Sequence, residues 1–489
     1  MIQMKHLLSA IGCSFIMSTL SIAGFASSAR GISLASTLAL PGESTDLFPF
    51  QGNSANINRL GYFSDLYYDR YNKVYYALGD RGPGGGVISY QTRVQKLTLD
   101  VNQNTGAISN FKVLETILFT KDGQNFNGLN PEKLNGNAGN LGLSFDPEGF
   151  AIAPNGNFYI SDEYGPSVYE FKPDGSFVRA FATPQNLLPK EADGDLNFVD
   201  GRPTITNGRQ DNRGFEGLTL SPDAKKLYTL LQDPLVNEGS PDGRVSRNLR
   251  LVEFDTATGQ STAQYIYEVE SLASINERIP GTENDFGPNS QGRNIGISAI
   301  TALNDTEFLV LERDNRGFGV EDPLGNIPVG SKRIYRIDLT GATDVSDVSL
   351  AGSNTLPTGV KSVGKTLFLD IAESLKADGQ TIPEKFEGLA IGPQLSDGSY
   401  ALLLGTDNDF SVTQNDDDVQ FDVCTNNTQV TIDSDCPDGS SLIPAYLYSF
   451  KVSASELGKF IPPQKVPEPT ATAGLMLLGL SSLLLKRRK

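Results

Sequence analysis

An acidic residue, a glycine, a short apolar run and a proline recur three times: DPEGFAIAP (Asp146–Pro154), FEGLTLSP (Phe215–Pro222) and FEGLAIGP (Phe386–Pro393). Each copy continues into a polar turn, a second apolar run and a further acidic cluster: NGNFYISDEYG, DAKKLYTLLQD and SDGSYALLLGTDND. Two weaker copies without the Glu-Gly begin at Phe63 and Ile297. Carboxylates at equivalent places of a repeated unit converge when the units pack around an axis. Glu148, Glu216 and Glu387 are therefore expected to face that axis near one rim. Asp80, Asp162, Glu163, Asp233, Glu312, Asp314, Asp407 and Asp409 are expected on the turns beside it. Carboxylates crowded within ~4–6 Å cannot all ionise unless protons or cations compensate them. An all-oxygen set selects a hard ion, Ca²⁺ outside the cell. The expected ligands are Glu148, Glu216 and Glu387 with Asp80, Asp233 and Asp407. Aspartate in a turn also caps strands by accepting backbone N–H groups, a second reading for Asp162, Asp233 and Asp407.

Arg81, Arg213 and Arg313 stand beside these acids in DRG, DNRGFEG and ERDNRG. Guanidinium groups in such a cluster could hold a phosphate bidentately while a metal polarises it. They would serve equally as buried ion-pair partners of the glutamates.

Absences narrow the chemistry further. The single histidine, His6, lies in the N-terminal leader, so the mature chain has none. That excludes Ser-His-Asp and Cys-His catalysis and histidine-ligated zinc. GVKSVGKT (Gly359–Thr366) satisfies the P-loop pattern, but a P-loop needs a strand before it and a helix after it. Here a polar segment precedes and a strand-like LFLDI follows. DGDLN (Asp193–Asn197) starts like a calcium loop, yet Phe198 stands where glycine is required and Thr204 where the bidentate glutamate belongs.

The elements that must position these groups are short runs rich in Tyr, Phe, Leu, Val and Ile, separated by Asp, Asn, Gly and Pro. FAIAP, FYISD, VYEF and SFVRAFA read as four strands, with KPDG as a hairpin turn. Repetition every 70–90 residues or so is one supersecondary unit reused, and a four-stranded antiparallel unit repeated around a ring is a β-propeller. The fold class is all-β, a β-propeller with six blades favoured and five or seven possible. A sixth blade would come from residues 340–382, or from Ile32–Leu40 closing the ring with the last blade.

The chain has 489 residues and a net charge of −18, a surface that repels nucleic acid and anionic lipid. Lys5, the apolar stretch Leu7–Phe25 and the small residues Ala26–Ala29 read as a secretory signal peptide, residues 1–29. The propeller domain is expected over 30–462. At 463–489 a Val-Pro-Glu-Pro box, the apolar run Ala471–Leu485 and a Lys-Arg-Arg-Lys end resemble the bacterial PEP-CTERM sorting signal. By that resemblance a sorting peptidase cuts near the box, after transient residence at the inner membrane. A lasting anchor is the alternative, through an apolar run shorter than the ~20 residues of a comfortable spanning helix. Cys424 and Cys436 are a lone pair in an exported chain and are expected as a disulfide, stabilising by roughly 3 kcal/mol.

The segments DPEGFAIAPNGNFYISDEYG, NRGFEGLTLSPDAKKLYTLLQDPL, FLVLERDNRG and KFEGLAIGP resemble the phytase-like family described by esterase-like activity, over Gly61 to Phe450. The resemblance implies calcium-assisted phosphoester hydrolysis. Glu148, Glu216 and Glu387 would hold the ion, and Arg213 and Arg313, with Arg81, would bind phosphate. Asp162 or Glu163 would orient or deprotonate water, with Glu312 grouped among these catalytic acids. No lysine cluster of the kind phytases place around phosphate is visible. Glu-Gly on a first strand also resembles calcium-dependent gluconolactonase propellers, which implies lactone hydrolysis instead. A third reading is a non-catalytic, calcium-stabilised surface or matrix protein. Expected partners are a small phosphoester or extracellular polysaccharide and the sorting peptidase, with no nucleic acid. The expected location is the cell surface, periplasm or medium.

Overall fold

The computed structural model describes residues 31–48, 54–135, 137–415 and 419–463. The expected leader, 1–29, and the expected sorting segment beyond residue 463 lie outside the described residues. Among the described residues no helix is long and apolar enough to cross a membrane.

Five four-stranded antiparallel sheets form the blades. Their innermost strands are Asp65–Asp69, Pro147–Ile152, Phe215–Leu220, Ile295–Ala302 and Lys385–Gln394, in blades one to five. Each packs against the next, and the fifth against the first, so the inner strands close a ring. The favoured count of six is corrected to five, a count the sequence allowed. Residues 340–382 do not make a blade of their own. Gly364–Asp370 is the outer strand of blade four, and Ile371–Ala377 is a helix. Ile32–Leu40 does close the ring, as the outermost strand of blade five beside Ala445–Val452.

The inner strands are buried on both faces, which is why they read as near-continuous apolar runs. Leu66, Phe150, Leu218, Ile300 and Leu389 occupy one level of the five inner strands, and all are buried. They form an apolar floor across the axis. Beyond it lies a second, mostly apolar cavity of about 310 Å³ lined by Tyr68, Ile152, Leu220, Ala302 and Ile391.

At the other end the register changes. In blades two to five the pairing slips at Glu148-Gly149, Glu216-Gly217, Ser298 and Glu387. These are β-bulges, which insert a residue and re-aim a side chain. The bulge turns each glutamate toward the mouth of the ring. Gly149 is required by close approach: a Cβ there would lie 2.6 Å from the backbone nitrogen of Leu218 in the next blade. Ser64 precedes the inner strand of blade one at the corresponding place.

A small three-stranded sheet, Val412–Gln414, Gln420–Val423 and Gln429–Thr431, is inserted in blade five and stands beside this mouth. The buried Arg59–Asp422 ion pair at 2.6 Å ties it to the N-terminal segment. The expected Cys424–Cys436 disulfide is present next to it.

Candidate active site in the acidic mouth

The bulged ends of the inner strands open into a polar cavity of about 520 Å³. Its described lining carries ten carboxylates and only four cations, Arg81, Arg213, Arg313 and Lys385. Three positions of the repeat supply eight of these fourteen charged groups. The first is the bulge residue: Glu148, Glu216, Ser298 and Glu387, with Ser64 in blade one. The second lies two residues earlier: Asp146 in blade two, Gly214 in blade three, Lys385 in blade five. The third, on the second strand, is the residue one past the partner of the residue that precedes the bulge: Glu163, Gln232, Arg313 and Asp407.

This register sorts the expected residues. Asp80, Arg81, Glu148, Glu163, Arg213, Glu216, Arg313, Glu387 and Asp407 all line the cavity. Asp162, Asp233 and Glu312 are not among its lining residues. Side chains alternate faces along a strand, and Asp162 and Glu312 sit one residue before the inward position. The buried Asp162 accepts the N–H groups of Asp146 at 3.0 Å, Tyr164 at 3.2 Å and Gly165 at 3.1 Å, a capping role. Glu312 accepts from Tyr267 Oη at 2.7 Å and from Lys365 Nζ at 2.6 Å, between blades three and four. Lys365, the lysine of the rejected P-loop pattern, is thus an ion-pair partner. Asp233 lies 3.4 Å from Arg213 Nε, as an ion-pair partner of that guanidinium. Asp146, Asp409 and Lys385 join the lining. Asp146 and Lys385 were legible only as neighbours of a Glu-Gly.

The three axial glutamates differ. Glu387 is ion-paired with Arg313, whose Nε also donates to Ser298 Oγ at 2.9 Å. Glu216 accepts from Gln232, while its Oε2 has no hydrogen-bond partner. Glu148 has no hydrogen-bond or ion-pair partner among the described residues, and no donor reaches Glu163 Oε1 or Asp146 Oδ2. All are buried: 7% exposed for Glu148, 3% for Glu163, 2% for Glu216. Burial pushes Glu148, Glu163, Glu216 and Asp407 well above the usual carboxylate range, and neighbouring carboxylates push them further. Burial, with Asp146 adding to it, carries Asp80 up to about 7. Two groups of three acids bring ligand atoms within 4.8 Å of one another, Asp146/Glu148/Glu163 and Asp80/Asp407/Asp409. Orphaned, buried, all-oxygen donors fit a hard divalent cation.

Comparison with known proteins agrees with the repeat motifs. A family model, phytase-like ("esterase-like activity of phytase"), matches residues 58–410. An uncharacterized secreted protein of Arthroderma benhamiae is 29% identical over 416 residues, covering 70% of this chain and 79% of that one. Among solved structures, a luciferin-regenerating enzyme aligns with 81% of this chain and 94% of its own at 14% identity and a TM-score of 0.29. The calcium-binding protein regucalcin from Agrobacterium tumefaciens aligns with 88% of this chain and 98% of its own, at 11% identity and 0.32. With the match spanning most of the propeller and its Glu-Gly bulges, the chain belongs to the phytase-like family.

Proposed function

We propose that this chain is an exported, calcium-dependent phosphoester hydrolase working in the acidic mouth of its ring. The observation that carries the reading is a set of buried carboxylate oxygens without hydrogen-bond donors, set among guanidinium groups on the same wall. Asp146, Glu148, Glu163 and Glu216 are the acids that would hold the ion. A bound divalent cation supplies charge compensation and Lewis acidity toward a phosphoryl oxygen. Arg81, Arg213 and Arg313 line the cavity and have N–H donors left to orient the substrate's anionic oxygens. Glu163, ionised when the cation is bound, would orient the attacking water and accept its proton at a carboxylate oxygen. The apolar floor keeps water from reaching the site through the axis.

Lys385 is the one lysine in the lining among the described residues, and it is engaged by Asp407 and Asp409. A small mono- or diester suits this cavity better than a hexakisphosphate. A second reading has its own observation: all four cations already contact an acid or amide. That favours a neutral lactone or carboxylic ester over a phosphate. A non-catalytic, polysaccharide-binding surface protein is the third reading. Export agrees with the disulfide and with the secreted relative. The leader at 1–29 and the sorting segment at 463–489, with its peptidase and brief stay at the inner membrane, belong to the same reading.

The test is hydrolysis of p-nitrophenyl phosphate, bis(p-nitrophenyl) phosphate and a δ-lactone by the purified chain, with calcium and then with chelator. Calcium-dependent phosphoester turnover, abolished in Glu163→Gln, supports the proposal. Turnover of the lactone alone transfers the reading to lactonase. Folded, calcium-loaded protein with no turnover on any ester overturns both.

A further inference from the structure

We propose that the mouth holds one divalent-cation site rather than two, because the ammonium of Lys385 takes the place of the second cation. This deepens the calcium reading above and rests on it. The two acidic groups look alike in size, each with three carboxylate oxygens within 4.8 Å of one another. Their occupancy by donors differs.

Asp146/Glu148/Glu163 comes entirely from blade two, the one blade in which all three inward repeat positions are acidic. Asp146 Oδ1 accepts the backbone N–H of Arg81 at 3.0 Å. Its Oδ2 lies 3.4 Å from Arg81 Nη1, an ion pair without a hydrogen bond. Glu163 Oε1 has no partner. Among the described residues the three buried carboxylates have one ion pair, Asp146 with Arg81, while the Arg213 guanidinium acts on Glu163 from farther away. A buried acceptor left unsatisfied is costly, more so when charged, so this group is built for a ligand that the protein does not itself supply.

In blade five the same three positions read Lys385, Glu387 and Asp407. Exchanging the aspartate two residues before the bulge for lysine puts a positive charge where blade two has a negative one. Lys385 Nζ lies 2.5 Å from Asp409 Oδ1 and 3.7 Å from Asp407 Oδ2. Two further oxygens accept backbone donors: Asp407 Oδ1 the N–H of Asp409 at 3.0 Å, and Asp80 Oδ1 that of Gly82 at 2.8 Å. A compact, strongly hydrated ammonium with rotatable donors can stand in for a bound ion in this way. Blade two binds the exchangeable cation, and blade five carries a permanent one.

The experiment is calcium stoichiometry on the full chain, stripped with chelator and titrated by isothermal calorimetry, with equilibrium dialysis as a second count. One calcium per chain is expected for the wild type, one for Lys385→Arg, two for Lys385→Met and none with high affinity for Glu148→Gln. Two calcium ions in the wild type, or one in a folded Lys385→Met, would overturn the substitution while leaving the calcium-dependent hydrolase standing. No binding to folded wild type would sink both. Should Lys385→Met fail to fold without calcium, its recovery of the native near-ultraviolet spectrum with two bound ions supports the proposal. Recovery with one overturns it.

Discussion

The Asp65 carboxylate accepts the backbone N–H of Phe150 at 2.8 Å, tying the inner strand of blade one to that of blade two. Its other oxygen accepts the N–H of Leu66 at 2.7 Å. Asp65 stands where blades two, three and five carry the glycine of Glu-Gly. Where the glycines let the next blade approach, Asp65 reaches across with a side chain. Replacing Asp65 by alanine strands a buried donor, and the expected loss is about 1–3 kcal/mol. Denaturant unfolding measures it, and calcium affinity should not change because the residue sits at the floor rather than in the mouth.

Gly149→Ala tests the close approach. The added methyl meets the backbone nitrogen of Leu218 at 2.6 Å and Ser161 Oγ at 2.5 Å, and a backbone neighbour cannot swing away. Overpacking of this kind costs about 1–3 kcal/mol. The variant should melt lower and bind calcium more weakly, since the shift passes directly to Glu148.

Two glutamates of the same motif should respond in opposite ways. Glu387→Gln leaves the buried Arg313 without its carboxylate, a loss on the order of 3 kcal/mol for a broken buried pair. Glu148→Gln removes a buried acid that has no ion-pair partner among the described residues, so melting in chelator should rise slightly while calcium affinity falls. Thermal melts of both variants with and without calcium separate the two effects. A similar melting loss in both would show that the axial glutamates are structurally equivalent.

The calcium-free protein should lose stability as pH rises. Burial lifts Asp80 to about 7, Asp162 to about 8 and Glu384 to about 7, all above their unfolded values. The folded state thus retains protons that the unfolded chain releases, and stability is fully present below the unfolded carboxylate range and lost through pH 7–8. Calcium should flatten this slope, because ligand carboxylates must be deprotonated to bind. Melting temperature against pH, with and without chelator, is the measurement. A calcium-free profile rising from pH 5 to 8 would contradict the assignment.

Much of the mouth was legible because the repeat carries it. Glu148, Glu216 and Glu387 stand in one visible motif, and the bulge that aims them is encoded by the glycine beside each. Ser64 and Ser298 occupy equivalent places but lack the acid that marks them, so blades one and four read as weak copies. Glu312 was misassigned by a single residue: its neighbour Arg313 holds the inward position, and alternation along the strand sends Glu312 to Lys365 and Tyr267. Parity of that kind depends on where the bulge falls, and a string of letters does not mark it. The blade count depended on pairing between distant strands, which local patterns of Gly364–Asp370 or Ile32–Leu40 do not announce.

The pairing of Ile32–Leu40 with Ala445–Val452 joins strands at the two extremes of the described chain. Bringing such distant segments together carries the largest loop-closure entropy in the molecule, and contacts of that separation form slowly. Until they meet, blade five offers a bare edge through Ala445–Val452, a template for joining another chain. This outer latch is therefore expected to form last, and its hazard is kinetic: a chain that stalls before it forms leaves the edge of blade five bare, able to pair with a neighbour's strand before it finds its own.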